Sequence, residues 1–132
     1  MNSPNESAIL FPDKSVNLGG KDIALHEFSY LEGLEAAAIA QPLLSDLLAM
    51  IEEQSQIGLP QLDQVIGKHA AIWVQLIALS VKMPAEWVAE LSDSDGTVLS
   101  MHFWEINGPF LLRRVAFAKQ FGKIVLNPPA AN

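Results

Sequence analysis

The chain has 132 residues, a net charge of −7 and no cysteine. This length suits one domain with its own hydrophobic core, and the lack of cysteine excludes a disulfide framework, a thiolate zinc site and a cysteine nucleophile. No signal peptide and no run of about 18 uncharged apolar residues can be recognised, so we expect a cytoplasmic protein without a membrane segment.

The charge pattern gives little support to nucleic-acid binding. The 15 acidic residues all lie in residues 1–105, whereas residues 106–132 carry four of the eight basic residues and no acid. An acidic body repels phosphate, and nucleic-acid binding normally requires a dense basic patch. We therefore expect no nucleic-acid partner.

The N-terminal part predicts a β-hairpin after a loose lead (residues 1–14). Val16 and Leu18 alternate with polar residues, and Ile23 and Leu25 resume the alternation after Gly19-Gly20. Two glycines readily adopt the positive φ angles of a tight hairpin turn. A two-residue turn would pair Val16 with Ile23.

The first helix is predicted from Tyr30 to about Gln54. Ser29 is a candidate N-cap, and Glu32 completes a capping box three residues later. Pro42 lies inside this run, where a proline removes a backbone hydrogen bond and clashes with the preceding turn. We expect a kink or a short break there.

A second long helix, from Gln61 to about Val81, is predicted to be the centre of the core. Its apolar residues recur at the spacing of one helix face, and further apolar residues widen that face. A helix that is apolar on most sides is usually buried or covered by a partner.

The C-terminal third predicts a short helix at Pro84 that ends at Ser92, and then a further helix. Oxygens of residues 92–95 can cap the start of that helix. Gly108-Pro109 should bend or split it, because the residue before a proline avoids the α conformation. After Gly122 we expect a docked or strand-like segment and a frayed tail at 127–132. The predicted fold is therefore one mainly α domain over 1–132, with an N-terminal β-hairpin and a bundle of about five helices.

The polar residues form no recognisable catalytic or metal site. His26, His69 and His102 are far apart in sequence and lack the spacing of a zinc motif, and the acids of 93–95 resemble a calcium loop less than a helix cap. No nucleophile motif or glycine-rich nucleotide loop is present. We predict no metal, no cofactor and no enzymatic activity.

Two features of the late aromatic stretch have more than one interpretation. Trp87 and Trp104 are most simply core residues, with exposed partner anchors as the alternative. Asn107 is either a cap for a helix that restarts after Gly108-Pro109 or a buried hydrogen-bonding group, and the cap is favoured.

The chain resembles the tail assembly chaperones of tailed bacteriophages and prophages. The resemblance covers the segments LFPDKSVNLGGKDIALHEFSY and PAEWVAEL, and a late pattern that joins Trp104, Asn107, Phe110 and Arg113. It implies a non-catalytic factor that coats the aggregation-prone tape measure protein before tail tube protein assembles around it. It also implies a homo-oligomer in the host cytoplasm, with the tape measure protein and possibly the tail tube protein as partners.

The predicted partner-binding surface combines the central helix with the late aromatic stretch. Its residues are large or charged: Ile72, Trp73, Leu76, Trp87, Trp104, Phe110, Arg113 and Arg114. The alternative function is a generic dimeric helical adaptor or regulator that uses the same apolar faces. A ligand binder would instead need a polar pocket around His102, Asn107 and the arginines.

Overall fold

A computed structural model of the chain describes residues 13–53 and 58–126, with side chains as far as residue 120. The fold is mainly α with an N-terminal β-hairpin, as predicted, and six helices follow the hairpin in the described ranges. The elements are β1 (Lys14–Leu18), β2 (Lys21–Leu25), α1 (Tyr30–Ile39), α2 (Gln41–Glu53), α3 (Leu59–Lys68), α4 (Ala70–Val81), α5 (Ala85–Ala89) and α6 (Asp93–Leu126).

The hairpin has the predicted register. Val16 pairs with Ile23 in an antiparallel ladder, and the turn residues Gly19 and Gly20 have φ angles of 58° and 85°. Such positive values are open to glycine without a steric penalty. The large apolar side chains of both strands are buried, because β1 packs on α6 and β2 packs on α4. Lys14, assigned to the loose lead by sequence, is the first residue of β1.

The first predicted helix is broken near Pro42, as expected. Ser29 and Glu32 form the predicted capping box at the start of α1, with Glu32 N–H donating to Ser29 Oγ (3.2 Å) and Ser29 N–H donating to Glu32 Oε1 (2.9 Å). α1 ends at Ile39, and α2 leaves it at an angle of 81°. Pro42 therefore lies in the first turn of α2, where its missing N–H costs no helical hydrogen bond.

The prediction of one continuous helix from Gln61 to Val81 is wrong. α3 and α4 meet at His69, whose φ and ψ of −117° and 41° are not helical, and their axes differ by 96°. The bend turns the buried Leu62 and Val65 of α3 back toward the core that α4 fills. A straight helix of about 30 Å would carry one of its ends away from that core.

Gly108-Pro109 was predicted to bend or split the last helix, and the split is wrong. α6 runs continuously for 34 residues with Pro109 inside it, and it extends through Ile124–Leu126, where a docked or strand-like segment was expected. Gly108 has no Cβ to clash with the proline ring, which relieves the usual restriction on the preceding residue. Asn107, Phe110 and Leu111 are buried on both sides of the proline and hold the helix to the body. The predicted tail at 127–132 lies outside the described residues.

The buried residues form one cluster, to which the hairpin, the connection between β2 and α1, and the helices all contribute. α4 lies near its centre, with buried apolar side chains facing α1, α5 and α6. α1 comes close to α6 at Gly33, where an added Cβ would lie 2.9 Å from Phe110 Cε1. This packing leaves the first half of α6 beside α3.

Candidate functional site

An open apolar groove lies between α3 and the first half of α6, and we call it the α3–α6 groove. It encloses about 930 Å³. It is lined by Leu59, Pro60, Leu62, Asp63, Ile66, Trp73, Leu91, Ser92, Asp93, Gly96, Thr97, Ser100, Met101, His102, Trp104 and Glu105.

The walls of the groove are two helix faces. On α6 the lining positions 93, 96, 97, 100, 101, 104 and 105 follow the i, i+3, i+4 spacing of one face over about three turns. On α3 the positions 59, 62, 63 and 66 follow the same spacing. Leu59 is 78% exposed and Met101 is 64% exposed, so one large apolar side chain of each wall faces solvent.

Trp73 of α4 forms part of the groove lining and is fixed in place. Its Nε1 donates a hydrogen bond to Ser100 Oγ at 2.7 Å, which joins α4 to α6. Its ring meets Phe103 edge-on, with centroids 5.1 Å apart, and lies 6.5 Å from the Trp104 ring. Aromatic pairs at these distances pack favourably, so this end of the lining is preorganised.

Among the described residues that line the groove, the charged side chains are all acidic. Glu105 accepts hydrogen bonds from Lys14 Nζ (3.0 Å) and is bonded to His102 Nδ1 (2.8 Å). These two hydrogen bonds hold the pKa of the Glu105 carboxyl below its usual value. Asp63 and Asp93 are exposed, and neither forms an ion pair with any residue in the described ranges.

An ionic cluster fixes the corner from which α3 leaves α4. His69 Nε2 lies 2.6 Å from Asp46 Oδ2, and Lys68 Nζ lies 3.1 Å from the same oxygen. Two hydrogen bonds lower the pKa of Asp46. The bond with His69 has the larger effect, and the bond with Lys68 has the smaller one. This cluster ties the α3 wall of the groove to α2.

Asn107 is a buried hydrogen-bonding group, and the favoured prediction that it caps a restarted helix is wrong. Its Oδ1 accepts from Phe28 N–H at 3.0 Å, and its Nδ2 donates to His26 O (3.2 Å) and to Ser80 Oγ (3.3 Å). Ser80 Oγ also donates to His26 O at 2.8 Å. The network joins the segment after β2 to α4 and α6, and it lies in the core.

The structure separates the eight predicted partner-binding residues. Trp73 and Trp104 line the groove. The side chains of Leu76 and Phe110 are buried in the core. The others lie elsewhere: Ile72 and Trp87 are half-buried against the core, Arg113 is exposed on the second half of α6, and the Arg114 guanidinium lies 5.5 Å from the centre of the Phe110 ring.

The α3 wall is the part of the groove that sequence reasoning missed. Asp63 and Ile66 were assigned to a straight central helix, and Leu59 lay before its predicted start at Gln61, so nothing placed them beside Met101. The signal that could have been used is Gly67, which weakens a helix two residues before His69. It does not give the direction of the bend.

In the described part of the chain, the three histidines do not converge on one site. Each histidine pairs with a different carboxylate: His26 with Glu32 (3.0 Å), His69 with Asp46, and His102 with Glu105. Within residues 13–53 and 58–120, no group of three or more His, Asp and Glu side chains could hold a metal ion.

No single helix in the described part of the chain is both long and apolar enough to cross a bilayer. Two bent pairs, α1 with α2 and α3 with α4, satisfy the length and composition criterion only together.

The fold and the site define a mainly helical protein with an open, acidic-rimmed apolar groove. The chain belongs to the family described as Family of unknown function (DUF6631), which matches residues 6–125. No curated protein matches the chain, and no solved structure matches it.

Proposed function

We propose that this protein is a non-catalytic binding protein whose α3–α6 groove holds an apolar helical segment of another protein. The observation that carries the proposal is the exposure of Leu59 and Met101 on facing walls of one groove. Contiguous apolar surface in a concave site is typical of a surface that a partner covers.

The proposed partner is a tape measure protein, and the proposed role is that of a phage tail assembly chaperone. The support is the resemblance of the hairpin, PAEWVAEL and late-helix segments to that family. A long, aggregation-prone protein needs a binding protein that combines apolar surface with good solubility. This chain combines the groove with a net charge of −7, which opposes self-aggregation. The role belongs in the host cytoplasm, where tail tube protein would later replace the chaperone.

Co-expression with a candidate tape measure protein tests the proposal. The wild-type chain should keep that protein soluble and elute with it on size exclusion. The double variant Leu59→Gln/Met101→Gln should lose the complex, because glutamine keeps the helix propensity and size of these residues but removes their apolar surface.

The matched control is Val98→Gln/Leu112→Gln, which changes two exposed aliphatic residues of α6 outside the groove. This control should retain the complex. The proposal fails if the wild-type chain forms no complex, or if the control and the groove variant bind equally well.

A dimeric helical adaptor is the second candidate function, and a specific apolar surface favours it. Tyr30, Leu31 and Leu34 of α1 are all exposed large hydrophobic residues, and they lie outside the groove. Such a surface can pair with its own copy across a two-fold axis. Light scattering should then give a dimer mass that Leu31→Gln reduces to a monomer mass, whereas a monomeric wild-type chain would exclude this candidate.

A further inference from the structure

We propose that the α3–α6 groove selects an amphipathic helix whose apolar stripe is flanked by lysine or arginine. This inference rests on the proposed function and names the chemistry of the segment that the groove binds. It is carried by the charge of the lining, which among the described residues contains three carboxylates and no lysine or arginine.

Asp63 and Asp93 are the two carboxylates available to a partner. They lie on opposite walls, one on α3 and one at the start of α6, and both are exposed. The carboxylate of Glu105 is already hydrogen-bonded to Lys14 and His102. The position of Asp93 in a first helical turn also has a local explanation, because an acid there favours the helix. Asp63 is the fifth residue of α3 and has no such explanation.

The dimensions of the groove suit a helix of about three turns. α3 has 10 residues and is about 15 Å long, and the lining face of α6 from 93 to 105 is about 18 Å long. An extended strand would leave its backbone N–H and C=O groups against apolar side chains. A helix satisfies those groups internally and presents apolar residues at i, i+3, i+4 and i+7, as in other helix-in-groove complexes.

Flanking cations would then lie beside the two carboxylates. Complementary charge at the edge of an interface mainly raises the association rate and the specificity, and salt screens it. Two exposed ion pairs of this kind correspond to an affinity about tenfold higher for a helix with flanking cations than for one without them, at low salt.

Two synthetic 18-residue peptides provide the test. Both carry the same leucine and alanine stripe, and they differ only in having lysine or glutamate at the flanking positions. Each is labelled and titrated with the full-length chain, and binding is followed by fluorescence anisotropy at 50 mM and 500 mM salt. We expect the lysine peptide to bind about tenfold more tightly at low salt, and we expect the difference to shrink at high salt.

The variant Asp63→Lys/Asp93→Lys should remove or reverse the preference. Its control, Glu35→Lys/Glu86→Lys, makes the same change in net charge at exposed acids outside the groove and should keep the preference. Circular dichroism establishes that each variant is folded before it is titrated.

The inference is overturned if both peptides bind the wild-type chain equally, if neither binds, or if the two charge variants behave alike. The proposed function is judged separately, by the effect of Leu59→Gln/Met101→Gln on the complex with the tape measure protein. A groove-dependent complex without a charge preference would overturn the inference alone.

Discussion

Asn107 occupies a position at which a single side chain joins three segments. It is fully buried, and its amide satisfies Phe28 N–H and His26 O, which belong to the connection between β2 and α1. His26 O also accepts from Ser80 Oγ, but Asn107 Oδ1 is the acceptor for Phe28 N–H, and a buried polar group without a partner is costly. The side chain therefore fixes the hairpin connection to α6.

Replacing Asn107 with alanine should lower the free energy of unfolding by about 2–4 kcal/mol. The change leaves Phe28 N–H unsatisfied and opens a cavity beside Ser80. Urea denaturation at pH 7 measures the effect. The control is Gln75→Ala, at an exposed position of α4, which should change stability by less than about 0.5 kcal/mol. Equal stabilities of the two variants would contradict the role given to the network.

The capping box at the start of α1 makes stability depend on pH. Burial raises the pKa of Glu32, but the hydrogen bond from Ser29 N–H and the interaction with His26 outweigh burial, so the pKa is lowered overall. A carboxylate with a lowered pKa in the folded state contributes stability above its unfolded pKa, about 4.3. That contribution is lost as the pH falls through the folded pKa.

The variant Glu32→Gln should therefore be less stable than the wild-type chain at pH 7, and the difference should disappear at low pH. Glutamine retains the capping hydrogen bond, so the comparison isolates the charge. Asp46 and Glu105 are present in both the wild-type chain and the variant, so their contributions to the pH dependence cancel when the two stabilities are subtracted. Thermal unfolding at several pH values between 7 and 3 measures this difference. A difference in stability that stays constant between pH 7 and pH 3 would show that the charge of Glu32 does not stabilise the fold.

At the scale of elements, α6 tolerates an internal proline because both halves of the helix are anchored. A proline in a helix interior costs about 3 kcal/mol relative to alanine. Buried side chains on both sides of Pro109 offset this cost. They are Phe103 and Asn107 before the proline and Phe110 and Leu111 after it. Pro109 itself is exposed.

Pro109→Ala should therefore raise the free energy of unfolding by about 1–3 kcal/mol, since alanine restores the backbone hydrogen bond to Glu105 O and loses little packing. Pro42→Ala is the control, because Pro42 lies in the first turn of α2, and its replacement should be neutral or slightly destabilising. Guanidinium denaturation compares the three proteins. A stability gain at Pro42 and none at Pro109 would contradict a continuous α6.

The crossing of α1 and α6 requires glycine at residue 33. Gly33→Ala should lower stability by about 1–3 kcal/mol, because the new methyl group would displace the Phe110 ring from its edge-on contact with Phe28. Gly67 is also helical, but an added methyl group there meets open space. Gly67→Ala should instead raise stability by about 0.5–1 kcal/mol. If chemical denaturation showed that both variants change the free energy of unfolding in the same direction, this close crossing would be contradicted.

The elements that sequence predicted correctly are those with local causes. The Gly19-Gly20 turn fixes the hairpin register, and the pair Ser29 and Glu32 fixes the start of α1. The corner at His69 depends on Asp46, which is 23 residues away in the chain, and the continuity of α6 depends on the burial of both its halves. The α3–α6 groove follows from these two long-range features. For that reason only Trp73 and Trp104 of its lining were predicted.

At the scale of the whole molecule, the groove shares Leu62 and Trp73 with the core, but its most exposed apolar residues are not part of the core. One cluster of buried side chains spans the hairpin and the helices within the described ranges. The most exposed groove residues lie outside this cluster. Leu62 of α3 is buried in it, whereas Leu59, one turn earlier, faces solvent. Leu59 and Met101 can therefore be replaced without loss of the core.

The variant Leu59→Gln/Met101→Gln should accordingly keep the free energy of unfolding within about 0.5 kcal/mol of the wild-type value, because exposed side chains contribute little to stability. Leu62→Ala on the same helix should lose about 2–5 kcal/mol through the cavity that it leaves. Denaturation of both variants in urea, followed by tryptophan fluorescence, makes the comparison. If the double variant were destabilised as much as Leu62→Ala, Leu59 and Met101 would belong to the core. Loss of the tape measure complex by that variant would then reflect unfolding rather than a changed groove.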